Sequence, residues 1–364
     1  MFQENNNLLT IPEYFINKFP NSKKEGNSVR FFYSAQEEYE SLKNGIGIRI
    51  KLNSTIIEMT GKDVLDFLHR VSTNAVKDLK LFEKRNTLFL NEKGRFISRS
   101  TLLNLEDKFY LIGNSDYDKR LFSWVNKFII TEDIITRDVS ENFIILELIG
   151  KQCNSFLTML IGEEIDSVDT NLVRVSEIDG FKFHYYREHG FNSHNIYRIL
   201  IDKEKCIDFL EYLSNIKSVF DLSIVGEDAY DVFRIENGIP SYPNEINDLI
   251  NPHEVNLINE ISFKKGCYIG QEVIARLDTY DKVQRKLVKI TVSETLNNDT
   301  PLIIVDESGN ECGVLTTISS PELVNPQIGL ALIKKKALSD NSVLFVQAND
   351  KKIKIGTSEI NSTK

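Results

Sequence analysis

The sequence predicts an α+β fold that ends in a small all-β barrel. Two observations carry this. Helix-like and strand-like segments mix through the first 285 residues without strict βαβ alternation, and residues 285–364 hold only short strand candidates separated by Gly, Asn, Asp, Ser and Pro. With 364 residues, 41% of them hydrophobic, the chain can build more than one core. The composition divides it into an extension over 1–35, a mixed body over 36–284 and a β domain over 285–364.

Each element has its own reason. Residues 1–35 mix Asn, Lys, Pro and Ser with aromatics, a pattern that packs on a core without forming one. Glu37 to Asn44 has helical spacing, and Ile48 to Leu52 and Thr55 to Met59 carry the β-branched residues of strands. A helix then follows, with Thr60 expected to cap it by accepting from the Asp63 N–H; Val64, Leu65, Leu68 and Val71 form its apolar stripe. Thr87 to Leu90 and Thr101 to Leu105 flank the hairpin-like Asn91-Glu92-Lys93-Gly94, and Phe109 to Ile112 adds a strand. Asp116 to Ile130 and Asp202 to Asn215 read as amphipathic helices, and Ile144 to Ile149 as a buried strand with Glu147 inside it. In the β domain the candidates are Leu302 to Val305, Gly313 to Thr316, Ile328 to Ile333 and Val343 to Val346.

Charge and cysteine usage exclude several functions. The 53 acidic residues outnumber 44 basic ones, a formal charge of −9, so the overall field repels nucleic acid and anionic membranes, and direct nucleic-acid binding is not expected. Cys153, Cys206, Cys267 and Cys312 are far apart and form no zinc-ribbon pair, which suits reduced thiols in a cytoplasmic protein. No targeting segment is evident at the start, and no apolar run approaches the roughly 20 residues that span a bilayer.

Between Tyr230 and Leu287 the sequence stops being generic. Glu236 precedes Asn237-Gly238-Ile239-Pro240, where an ordered element breaks into a turn; such a carboxylate suits either a bidentate hold on an amidine-like N–H pair or an ordinary surface or capping role. In Lys265-Gly266-Cys267-Tyr268-Ile269-Gly270-Gln271-Glu272 two glycines flank a thiol and an aromatic ring before a helix. Glu272 and Arg276 stand at i,i+4 spacing, which favours an ion pair. Cys267, beside Lys265 and ahead of a helix start, suits a thiolate nucleophile, a metal ligand or a redox switch, and equally a buried inert thiol.

These residues resemble a known family. Arg234 to Pro240 together with Lys265 to Glu272 is similar to the signature of YgfZ-type proteins, relatives of the glycine-cleavage T protein, with weaker similarity over residues 37 to 335. The resemblance implies a folate-binding body of two intertwined α+β subdomains around a central channel, followed by the small barrel. It implies tetrahydrofolate, or a one-carbon-substituted folate, as the ligand. It also implies Glu236 against the pterin, Tyr268, Gly266, Gly270, Gln271 and Arg276 along the channel, and Cys267 as the reactive group. The implied role is support of iron–sulfur cluster assembly and repair, including iron–sulfur enzymes that modify tRNA, with client or assembly proteins as partners. The alternative is folate-dependent aminomethyl transfer. Against it, Arg99 stands where the aminomethyltransferases carry a catalytic aspartate, and a cation cannot do the work of a carboxylate there.

Other constellations carry less. His184, His189 and His194 recur every five residues and do not converge on one face of a helix or strand, so no metal site is expected. His253 follows Pro252 at a helix start. Gly45-Ile46-Gly47 lacks the third glycine of a dinucleotide fingerprint, and Lys334-Lys335-Lys336 reads as a solvated turn after a strand.

Overall fold

Ile46–Lys51 and Ser54–Thr60 follow each other almost directly, yet they belong to different sheets. The computed structural model describes residues 10–25, 28–52, 54–115, 119–165, 169–188, 195–280, 282–297, 299–340, 342–349 and 351–360. Within these, Ile46–Lys51 lies in a six-stranded sheet whose order is Val173–Ile178, Phe181–Arg187, Asn195–Asp202, Phe143–Gly150, Ile46–Lys51 and Leu222–Val225. Its pairs are antiparallel except the last, where Leu222–Val225 runs parallel to Ile46–Lys51. Ser54–Thr60 enters a five-stranded antiparallel sheet ordered Lys84–Leu90, Phe96–Asn104, Phe109–Ser115, Ser54–Thr60 and Ile135–Asp138. The chain then returns to the first sheet through Phe143–Gly150.

Side-chain alternation shows how the sheets meet. On Phe143–Gly150, Ile144, Leu146 and Leu148 pack against the helices Cys153–Ile161 and Cys206–Ile216. Ile145 points the other way and packs with Leu200 and Tyr186 against Ile56, Leu103, Tyr110 and Ile112 of the five-stranded sheet. Glu147 has the parity of Ile145, so it lies on the face between the sheets.

The C-terminal region is a closed barrel of six strands: Arg285–Val292, Ile328–Lys334, Glu311–Ile318, Leu302–Val305, Leu344–Ala348 and Lys351–Ser358. Closure removes the edges that would otherwise expose unpaired backbone. Leu287, Leu330 and Leu332 share a core with Ile235, Tyr268 and Ile274, which seats the barrel on the unusual segment of the sequence.

Two local expectations need correction. Thr60 ends its strand rather than capping a helix; the helix Val64–Val71 starts after Asp63, whose Oδ2 accepts from the Asp133 N–H at 2.8 Å. That helix buries Phe67 in place of Leu65, because the stripe turns toward Leu102 and Leu111. The helix expected from Asp116 is Arg120–Phe128 among the described residues, and 116–118, like His189 and His194, lie outside them.

Candidate functional site

Register across the six-stranded sheet places charges side by side. Tyr186 pairs with Arg198, Arg198 with Glu147, and Glu147 with Arg49, all on the face toward the other sheet. Arg198 Nε donates to Glu147 Oε1 at 3.0 Å, Arg49 Nη1 donates to Glu147 Oε2 at 2.9 Å, and Arg198 Nη1 meets Glu188 Oε1 at 2.9 Å. From the facing sheet, Lys84 Nζ lies 3.5 Å from Glu188 and Asn86 Nδ2 donates to it at 3.2 Å. Arg49 also grips Glu227 through Nε and Nη2, at 3.1 and 2.8 Å, and its guanidinium carbon lies 3.7 Å from the centroid of the Tyr230 ring.

Burying so many charges is tolerable only because they are matched. Burial alone would raise the Glu147 pKa, but Lys51, Arg198 and Arg49 outweigh it and hold the carboxyl near 2. Glu188 is held low in the same way by Lys84, Arg198 and Arg99. Lys51 is different: burial pushes its ammonium down to about 8, and Glu147, 3.9 Å away, does not reverse this.

Lys51 lines two cavities. One is small, about 20 Å³, between Asn86, Arg99, Thr101 and Arg198, with room for roughly one water. The other is an open cleft of about 210 Å³ formed with Arg49, Glu227, Phe32 and Tyr242. Arg99 is fixed by Glu260, to which its Nε donates at 2.9 and 3.0 Å and its Nη2 at 2.5 Å.

The residues singled out from the sequence fall in three places. Glu236 is half-buried near the end of the helix Glu227–Asn237 and accepts from the Tyr39 hydroxyl at 2.6 Å; burial, then this carboxylate, pushes the Tyr39 hydroxyl pKa up. It stands nine residues along the helix from Glu227, roughly 14 Å from the cleft end. Tyr268 is buried in the core that holds Ile235 and the barrel leucines. Gly266, Cys267 and Arg276 are exposed, so Cys267 is not a core thiol.

The Lys265 ammonium does not serve the thiol. It donates to the carbonyls of His69, Ser72 (2.6 Å) and Asn74 (3.0 Å), closing the C-terminal end of the helix Val64–Val71. Gly270 and Gln271 open the helix Gln271–Thr279, with Gly270 at φ +82°. A Cβ there would lie 2.6 Å from the Asn91 carbonyl oxygen, so this glycine is what lets the Asn91–Gly94 turn dock on the helix. Among the described residues Glu272 and Arg276 form no ion pair; both point into solvent. His253 is buried in the short 3-10 turn Pro252–Val255, its Nε2 3.2 Å from the Ile274 carbonyl.

Sequence reasoning passed over the charged interior. A signal was present: Glu147 interrupts an apolar strand, where an unmatched carboxylate is not tolerated. Its partners come from strands distant in sequence, so nothing local identifies them. Among the described residues no cluster of three or more His, Cys, Asp or Glu side chains has metal-binding geometry, and no helix is long and apolar enough to cross a membrane.

Residues 3–265 match the family model described as the GCVT N-terminal domain. The chain belongs to the GCVT family. This GCVT chain is similar to the aminomethyltransferase of Bacillus licheniformis, with 25% identity over 328 residues that cover 89% of this chain and 88% of that protein. It is also similar to the aminomethyltransferase of Thermoanaerobacter sp., with 22% identity over 327 residues, 89% of this chain and 88% of the relative. Its fold is that of the glycine cleavage system aminomethyltransferase T from Bartonella henselae, with a TM-score of 0.81, 17% identity and 96% of each chain covered.

Proposed function

We propose that this chain binds a reduced folate and handles its one-carbon unit, in the manner of the aminomethyltransferases it resembles. The observation that carries the reading is the open cleft at Arg49, Lys51, Glu227 and Tyr242, which reaches the buried charged interior through Lys51. At about 210 Å³ it is smaller than the roughly 300 Å³ of clefts that take whole drug-sized ligands, a size that suits one ring system. Its lining suits a pterin: Tyr242 and Phe32 offer ring faces, and Glu227, whose two oxygens already accept from Arg49, keeps a further lone pair for a single ring N–H.

A bound reduced folate supplies the nitrogen atoms that carry a one-carbon unit. The chain's own part is to hold and orient the ring and to move a proton at Lys51 Nζ, whose pKa near 8 suits exchange around neutral pH. Arg99, locked to Glu260, offers no carboxylate of its own to a cationic amine. The acid–base work is therefore assigned to Lys51 in this reading.

Titration of tetrahydrofolate against the wild type, Tyr242→Ala and Glu236→Gln tests the site. Saturable binding weakened by Tyr242→Ala supports the cleft; weakening by Glu236→Gln alone moves the ring to the other end of the helix, beside Tyr39. No binding by the wild type overturns the folate reading. Formation of methylene-tetrahydrofolate from an aminomethyl donor tests the transfer.

A second reading keeps the iron–sulfur role, with client or assembly proteins as partners, and rests on the exposure of Cys267. Cys267→Ser should then keep folate affinity but fail to restore iron–sulfur enzyme activity in deficient cells. Full restoration by that variant rejects it.

A further inference from the structure

Away from the charged interior, on the far side of the helix Gln271–Thr279, lies a cleft of about 560 Å³. Its floor is apolar, made by Val273 and Leu277. Its walls come from four segments: the turn at Lys93 and Arg95, Asn251 and Glu254, the segment Lys282 to Arg285, and Lys334 to Lys336 at the end of a barrel strand. Seven basic side chains thus line a single concavity, against one carboxylate, Glu254, in a chain whose formal charge is −9.

Glu254 does not neutralise this surplus. Its two oxygens are taken by Arg95 Nη1 at 2.9 Å and Arg285 Nε at 2.7 Å, which positions the guanidinium groups and leaves Lys93, Lys282, Lys334 and Lys336 as surplus positive charge. Lys334 Nζ donates to the Glu311 carbonyl at 2.6 Å, an uncharged partner. Lys93, Lys282, Lys334 and Lys336 are exposed. A solvated turn after a strand, the reading that the triple lysine invites by itself, does not explain why two further elements add lysines to the same hollow. Their mutual repulsion favours a bound anion.

We propose that this cleft binds a small multivalent oxyanion, with its anionic groups on the lysines and its apolar part on Val273 and Leu277. Lysine ammonium groups are point charges that accept phosphate or carboxylate without a fixed fork geometry. The size falls within the range of small-ligand sites. The site is separate from the cleft at Arg49 and does not depend on folate binding.

The test is calorimetric titration of the full chain with tripolyphosphate and, separately, citrate, at about 50 mM salt, where screening is weak. The wild type should bind saturably at one site. Lys282→Glu/Lys336→Glu should lose roughly tenfold or more in affinity, while Lys151→Glu/Lys217→Glu, exposed lysines elsewhere with the same change in net charge, should stay within about twofold. Tighter tripolyphosphate binding identifies phosphate-bearing ligands, and tighter citrate binding identifies polycarboxylates. Absence of saturable binding by either probe, or equal loss in both variants, overturns the proposal.

Discussion

Arg99 and Glu260 form a bidentate ion pair, with Nε and Nη2 of the guanidinium donating to one carboxylate at 2.5 to 3.0 Å. Burial works against the arginine charge, but Glu260 keeps the group charged. The pair joins a strand of the five-stranded sheet to the segment that precedes Lys265. Arg99→Leu strands a buried carboxylate and should destabilise the protein by about 3 kcal/mol. Arg99→Leu/Glu260→Leu should recover most of that loss. Urea denaturation of both variants checks this; equal losses would mean that the pair is not coupled.

Arg234 should be the most demanding residue of the signature for folding. Its buried guanidinium reaches Asp231 at 2.6 Å, Glu245 at 3.0 Å and the Thr317 hydroxyl at 2.9 Å, and Glu245 in turn accepts from Thr316 and Thr317 of the barrel. Arg234→Met leaves Glu245, which is fully buried, without its counter-charge and should cost roughly 3–5 kcal/mol. The midpoint of thermal unfolding should fall, and Arg234→Lys should restore little, since an ammonium cannot span three partners.

Acid should weaken the interface between the sheets. Glu147 has a folded-state pKa near 2 against 4.5 for an ordinary glutamate, so its contribution is present above pH 4.5 and is lost as pH falls toward 2. The stake is on the order of 3 kcal/mol. Stability measured by urea between pH 5 and pH 3 should fall less steeply for Glu147→Gln than for the wild type. An unchanged slope would show that other carboxylates carry the acid response.

Gly270→Ala should separate the Asn91–Gly94 turn from the helix it docks on. The added methyl meets the Asn91 carbonyl at 2.6 Å, and φ of +82° is unfavourable for alanine. A loss of about 2 kcal/mol or more is expected. Gly266→Ala has open space around it and should change stability by less than about 0.5 kcal/mol.

Of the four cysteines, Cys267 is exposed and Cys153, Cys206 and Cys312 are buried. Burial pushes the Cys153 and Cys206 thiols up, which slows them further. A thiol reagent should label one group rapidly in the native protein and all four after unfolding. Cys267→Ser should abolish the rapid phase; its persistence would place the reactive thiol elsewhere.

Barrel strands were legible because short β-branched runs between turn residues have few other fates: Leu302–Val305 lies where it was expected, and Ile328–Lys334 within one residue. Arg285–Val292 and Lys351–Ser358 are harder to read because charged residues interrupt their apolar runs, Arg285, Lys286 and Lys289 in the first and Lys351, Lys352 and Lys354 in the second, and because barrel closure is not a local property. The Arg198, Glu147 and Arg49 row was hidden for a related reason. Register between strands some 50 to 100 residues apart is set by packing, and only one member, Glu147, looked out of place by itself.

The five-stranded sheet has a mechanical consequence. It is a continuous insertion between Ile46–Lys51 and Phe143–Gly150, two antiparallel neighbours with Lys51 opposite Ile145, so both covalent crossings lie side by side. Two adjacent tethers act as a door hinge. Swinging the inserted leaf outward would break no ladder within either sheet, but it would have to undo the isolated bridge between Glu83 and Leu172, the Lys84 and Asn86 contacts to Glu188 and the Arg99–Glu260 pair.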